Sequence, residues 1–309
     1  MGSTFSVRGK DLYVENLGDT AKPALLYLHG GPGAGSYDFV LHQGERLSRH
    51  LRVVAFDQRG VLRSSPISAE DRFELMDLVE DCESLREQLG IERWSVLGHS
   101  FGGYLGLLYA YTYPGSVERL MFENSVFDLG LAARSLLRGA ALEYGALGDS
   151  AKALHCLAAA FSPAHEETST VWQAFTELTN GLGARRNSLY VHGSDKDFFE
   201  QLVENSPFPS EYWERAGVHQ RRLYEEGRIF VSLLNTIVSV PHTALLLKGQ
   251  FDHVLSADQI HAFISAKPDT RLVVFEESGH FIHVEEPDRF AAEVIRFTVG
   301  EPSQTGEEA

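Results

Sequence analysis

Six short apolar runs, each bounded by turn-forming or polar residues, recur along the chain: residues 24–28 (ALLYL), 52–56 (RVVAF), 94–97 (WSVL), 119–123 (RLMFE), 244–247 (ALLL) and 271–275 (RLVVF). Runs this short and this continuously apolar fit strands buried on both faces, as in a parallel sheet. Between them the spacing changes to three and four: Met76, Val79, Cys82, Leu85 and Leu89 mark one helical stripe that stops at Gly90. Strands alternating with helices predict an α/β fold, a mostly parallel sheet with helices on both faces.

The alternation breaks once. From about residue 128 to 240 no buried strand is legible, and the segment is rich in Ala, Leu, Glu and Arg with loop markers at Ser162-Pro163 and 206–209. We expect a core built from residues 1–128 and 241–300, with residues 129–240 inserted as a helical cap over the sheet edge where open α/β folds bind ligands. The polar stretch 301–309 is expected to be a disordered tail.

Composition narrows the function. The chain has 309 residues and a net charge of −16, which disfavours phosphate backbones and anionic lipid as partners, so we expect neither nucleic acid nor membrane. Cys82 and Cys156 form no disulfide framework or metal-like pair. The N-terminal MGSTFSVRGK has no apolar run of the signal-peptide kind, and a cytoplasmic location is expected. With no H-E-x-x-H and no clustered His/Asp spacing, no metal and no cofactor are expected.

The chemistry concentrates at the ends of the apolar runs. GHSFG at 98–102 is G-x-S-x-G, placed after a predicted strand and before a predicted helix. Such a turn forces the serine backbone into strain, and its flanking glycines avoid collisions that Cβ atoms would cause. Ser100 is therefore the candidate nucleophile. A serine needs a base, and the base needs a carboxylate to orient it. Among 13 histidines, His280 follows the last apolar run in a Ser-Gly-His loop. His283 is its competitor, and His99 is expected to pack beside the turn. Asp252 follows the penultimate run, giving the chain order Ser, Asp, His; Asp128 is the alternative acid, or a helix cap. HGGPG at 29–33 lacks side chains where backbone N–H groups could meet an oxyanion, so Gly31 and Phe101 are the candidate oxyanion-hole donors.

HGGPG at 29–33, DQRG at 57–60, GHSFGG at 98–103, GQFD ending at Asp252 and SGH ending at His280 together resemble the α/β-hydrolase fold, and within it the proline iminopeptidase family. The resemblance implies release of an N-terminal residue from small peptides or amides. It departs in two places. The family continues D-Q-R-G-x-G-x-S, whereas Leu62 stands here in place of the second glycine. The family also holds the substrate ammonium with cap glutamates; here VWQAFTEL keeps Trp172 but displaces the acid to Glu177, with Glu200, Glu211 and Glu214 as further candidates. Glu177 and Glu200 are taken as the substrate-binding pair.

Three functions follow in order. An aminopeptidase acting on a small-molecule or short-peptide substrate comes first. An esterase, lactonase or amidase needing no free amine comes second. A hydrolase-fold binding protein comes third, disfavoured because no member of the Ser-Asp-His set is missing.

Overall fold

The computed structural model describes residues 2–162, 167–193 and 197–300; Pro163 and the polar stretch 301–309 lie outside the described residues. Eight strands form one sheet: β1 (Ser3–Val7), β2 (Lys10–Leu17), β3 (Ala24–Leu28), β4 (Arg52–Phe56), β5 (Trp94–His99), β6 (Val117–Glu123), β7 (Ala244–Gly249) and β8 (Arg271–Phe275), in the order β1-β2-β4-β3-β5-β6-β7-β8. From β4 to β8 every pairing is parallel, and the six strands concerned are the six apolar runs.

The antiparallel β1 and β2 at the edge are an addition to the sequence reading. The β2 burial alternates instead of running continuously, so a search for fully buried runs passes over it. Its turn signal is Arg8-Gly9, both at positive φ (48° and 79°), which closes a two-residue hairpin between Val7 and Lys10.

Helices cover both faces. Leu25, Tyr27, Val53, Ala55, Leu245 and Leu247 point to α1 (Tyr37–Ser48) and to the C-terminal helix, while Leu26, Leu28, Val54, Phe56, Val96 and Leu246 point to α2 (Leu75–Gln88) and α3 (Phe101–Thr112). Alternation of side chains along each strand thus divides the core into two apolar layers. Between β6 and β7 lie α4 (Leu129–Ala146), α5 (Ser150–Phe161), α6 (Thr168–Thr179), α7 (Phe198–Glu204) and α8 (Ser210–Glu226), and no strand is present there among the described residues. The chain closes with α9 (Ala257–Ala266), α10 (Ile282–Glu285) and α11 (Pro287–Val299).

Helix α8 is tied to the loop that follows β4. Arg215 donates to the Leu62 and Ser64 carbonyls, Arg222 to the Asp71 carbonyl, and the buried His219 ring to the Arg59 carbonyl at 2.9 Å. Leu62, which replaces a family glycine, sits in that loop at φ 38°. Leu62 holds this positive φ despite its strain while buried beside Gly35. Asp57 holds the same loop, accepting from Ser36 N–H and Oγ–H and from the Arg63 guanidinium at 2.6 Å.

Backbone packs closely on backbone beneath the turn after β5. A Cβ on Gly102 would overlap the Leu28 carbonyl of β3 and lie 2.9 Å from the His29 oxygen. Gly102→Ala is therefore expected to lower stability by about 1–3 kcal/mol or more, because backbone cannot yield as a side chain can. Gly115, with nothing near its Cβ position, is the control. Equal denaturation midpoints for Gly102→Ala and Gly115→Ala would show that β3 shifts freely.

Candidate functional site

Ser100 joins β5 to α3 at φ 55°, ψ −121°, a conformation that side-chain-bearing residues rarely hold. Its own N–H donates to the Glu123 carbonyl at 3.0 Å, and its carbonyl accepts from Val126 N–H at 3.1 Å, so β6 clamps the strained turn. Ser100 opens into two cavities. The larger, about 310 Å³, is lined by Gly31, Ala34, His99, Ser100, Arg186, Asn187, Tyr190, Phe199, His280 and Phe281. The smaller, about 40 Å³, lies among Pro32, Phe101, Val126, Leu136, Trp172 and Ile229. Gly31 touches both, at φ 111°, in a loop closed by Ala34 N–H on the Gly30 carbonyl. Phe101 begins α3, where the helix leaves its first N–H groups without intrahelical acceptors. Nucleophile candidate and both oxyanion-donor candidates thus meet at one point.

His280 Nδ1 lies 2.8 Å from Asp252 Oδ1. The carboxylate also accepts from Lys248 Nζ, Val254 N–H and Leu255 N–H, each at 2.9 Å. Burial opposes its charge, yet Lys248, His280 and these N–H donors outweigh it and hold Asp252 well below the usual carboxylate range. An ionised Asp252 places the imidazole proton on Nδ1 and leaves Nε2 free to accept. Asp128, the alternative acid, instead caps α4 through Leu131 N–H at 2.9 Å.

The other two histidines separate by environment. His99 Nε2–H donates to the His280 carbonyl at 3.1 Å, and burial pushes its pKa down to about 3, so it packs as a neutral ring. His283, on α10, lies between buried Glu123 (2.9 Å) and Asp38 (3.3 Å). Burial alone would discharge it, but the two carboxylates win and raise its pKa to about 10. His283 is a buried cation facing away from the cavity lining.

Several residues that surround the site were not singled out by the sequence. Asn124, at φ 41° just past β6, donates to the Gly279 and His280 carbonyls (2.9 and 3.0 Å) and accepts from Gly249 N–H at 2.9 Å. It joins the His280 loop to the end of β7, the strand that leads to Asp252. Tyr190 accepts the His280 N–H at 2.6 Å. Glu285 accepts from Gly279, Phe281 and His192 N–H groups, while burial pushes its pKa up to about 7. The polar ENS ending the 119–123 run is the signal that could have drawn attention to Asn124.

The expected substrate glutamates lie elsewhere. Glu177 is exposed and accepts from Gln173 at 2.8 Å; Glu200 is exposed and accepts from Asn187 at 3.2 Å; Glu211 and Glu214 are also exposed. None lines either cavity. Among the described residues no group of His, Cys, Asp and Glu is arranged to hold a metal ion, and no helix is long and apolar enough to cross a membrane.

Two outcomes follow. Asp252→Asn should lower turnover by roughly 10⁴ through loss of the correct tautomer, with Asp128→Asn far milder; the reverse order, measured as kcat, would move the acid to Asp128. For His283 the folded pKa of about 10 exceeds the unfolded value, so its stabilisation is complete below about pH 6.5 and is lost as pH rises through 10. His283→Gln should cost about 3–5 kcal/mol at neutral pH by leaving Glu123 buried and unpaired. Urea midpoints that do not fall between these pH values in the unaltered protein would remove the charge from His283.

Comparison with known proteins agrees with this architecture. Residues 23–287 match the alpha/beta hydrolase fold family. The proline iminopeptidase of Xylella fastidiosa (strain 9a5c) is 41% identical over 115 residues, 37% of this chain, and the match spans only 36% of that protein. That of Saccharolobus solfataricus is 25% identical over 294 residues, covering 88% of this chain and 83% of that one. The solved structure of the proline iminopeptidase-related protein from Thermus thermophilus superposes with a TM-score of 0.73 at 22% identity, over 96% of this chain and 97% of that chain. With a family match over most of its length, an eight-stranded sheet and helices on both faces, the chain belongs to the alpha/beta hydrolase fold family.

Proposed function

We propose that the chain is a serine hydrolase working through an acyl-enzyme on Ser100. The observation that carries this is the bonded His280–Asp252 pair opening on the same cavity as the strained Ser100. His280 Nε2 takes the Ser100 proton as Oγ bonds to the substrate carbonyl carbon, and the oxyanion is met by the N–H groups of Gly31 and Phe101. The tetrahedral intermediate expels its leaving group, which receives the proton from His280. Water, deprotonated by the same histidine, then releases the acyl group as a carboxylic acid and restores Ser100.

The two cavities divide the substrate. His280 must reach the leaving group and lines only the larger one, so the leaving group lies there and the acyl group enters the smaller. That smaller space, bounded by Val126, Leu136, Trp172 and Ile229, suits a compact apolar acyl group.

The relatives named proline iminopeptidase support an N-terminal aminoacyl group in that place. Recognition of its ammonium would call for a carboxylate, and among the described residues none lines either cavity. We therefore favour esters or amides of small apolar acyl groups with no requirement for a free amine, and keep the aminopeptidase as the second reading on the strength of the relatives.

Ser100→Ala should lower hydrolysis by about a million-fold while leaving the denaturation midpoint in place or higher, since the strained turn keeps its shape. A folded, fully active Ser100→Ala protein would show the turn to be structural. Matched arylamides with free and acetylated amines should differ in kcat/KM by less than about tenfold; a larger advantage for the free amine, of the size a charge-assisted contact supplies, would restore the aminopeptidase.

A further inference from the structure

Arg186 lines the Ser100–His280 cavity. Its position needs an explanation, because a half-buried guanidinium without an anion is costly. Among the described residues no carboxylate pairs with it, and its Nε is buried with no hydrogen-bond partner. What holds it is the ring of Phe175, 5.4 Å from the guanidinium carbon, a contact that orients the group without neutralising it. Neighbouring Asn187 adds an amide to the same wall, and the nearby acid Glu200 bonds that amide and not Arg186.

The chain as a whole is acidic, at −16. Long-range attraction therefore cannot bring an anion to this site, and screening over about 8 Å leaves recognition to local contacts. A guanidinium on the leaving-group side that no described carboxylate pairs with is such a contact.

We infer that the leaving group of the natural substrate carries a carboxylate, bound by Arg186 with Asn187 at its side. The substrate class is then a small apolar acyl group joined by an ester or amide bond to an acidic alcohol or amine, such as a hydroxy acid or an amino acid with a free carboxylate. This rests on the serine-hydrolase reading, and in particular on the leaving group occupying the larger cavity. Arg186 is a binding residue in this account and takes no part in proton transfer.

The test uses two butanoate esters that differ in one group, those of 4-hydroxybenzoate and 4-hydroxybenzamide. Arg186→Gln should lower kcat/KM for the benzoate ester at least about tenfold more than for the benzamide ester, the scale of one hydrogen bond to a charged group. Arg186→Lys should recover part of the loss, retaining charge without the planar fork. Equal losses on both esters would make Arg186 a packing residue on Phe175 and overturn the proposal, as would no loss on either. A second measurement keeps the two readings apart. Ser100→Ala protein should bind 4-hydroxybenzoate more tightly than 4-hydroxybenzamide by calorimetry, and Arg186→Gln in that background should abolish the difference. Arg186-dependent binding without ester turnover would retain the anion site and remove the hydrolase; turnover without that binding preference would do the opposite.

Discussion

Backbone packed directly on backbone, at Gly102 of α3 against the carbonyls of Leu28 and His29, is the contact on which the site depends. It brings the first turn of α3 so close to β3 that no side chain can stand between them. Ser100 is therefore held beside the loop that carries Gly31, and a helix N-terminus faces the place where negative charge would develop. Gly98 and Gly30 extend the same close approach to the helix and to the serine Cβ. Rigidity here comes from excluded volume, which costs nothing to maintain once the sheet has formed.

Around that point a small set of polar groups joins loops from different strands. Asn124 ties the His280 loop to the end of β7, Asp252 is steadied by Lys248 and two N–H groups, and Glu285 gathers three N–H donors from the His280 loop and from His192. The arrangement also gives three neighbouring histidines three different surroundings. His99 is neutral because it is buried without a bonded carboxylate, His283 is charged because it is buried between two, and His280 is bonded through Nδ1 to Asp252 alone. Equal burial with different partners gives different chemistry.

The two cavities at Ser100 are unlike in a way that bears on specificity. One is small and walled mostly by apolar side chains; the other holds His280, an arginine and an asparagine. A fold shared by many hydrolases leaves the choice of substrate to the inserted helices, which supply Trp172 to the first space and Arg186, Asn187, Tyr190 and Phe199 to the second. Helix α8, bonded to the carbonyls of Leu62 and Ser64, fixes part of that insertion to the core.

The amino-acid order alone determined the parallel part of the sheet, because strands buried on both faces must read as continuous apolar runs, and it singled out Ser100, Asp252 and His280 by their places at the ends of those runs. It named HGGPG as a loop able to offer N–H groups, since glycine patterns survive translation into backbone geometry. Only the tertiary structure shows how differently His280 and His283, three residues apart, are surrounded, because their partners Asp252, Glu123 and Asp38 are remote in the chain. It also decided the lining of the cavities. Glutamates in an amphipathic helix look alike in sequence whether they face solvent or a ligand, and the helix packing that turns Glu177 and Glu200 outward while placing Arg186 inward is a property of contacts between elements. Leu62 shows the same limit at a single residue: a side chain where glycine is expected leaves the loop open in sequence, and only the structure shows Leu62 at positive φ, buried beside Gly35.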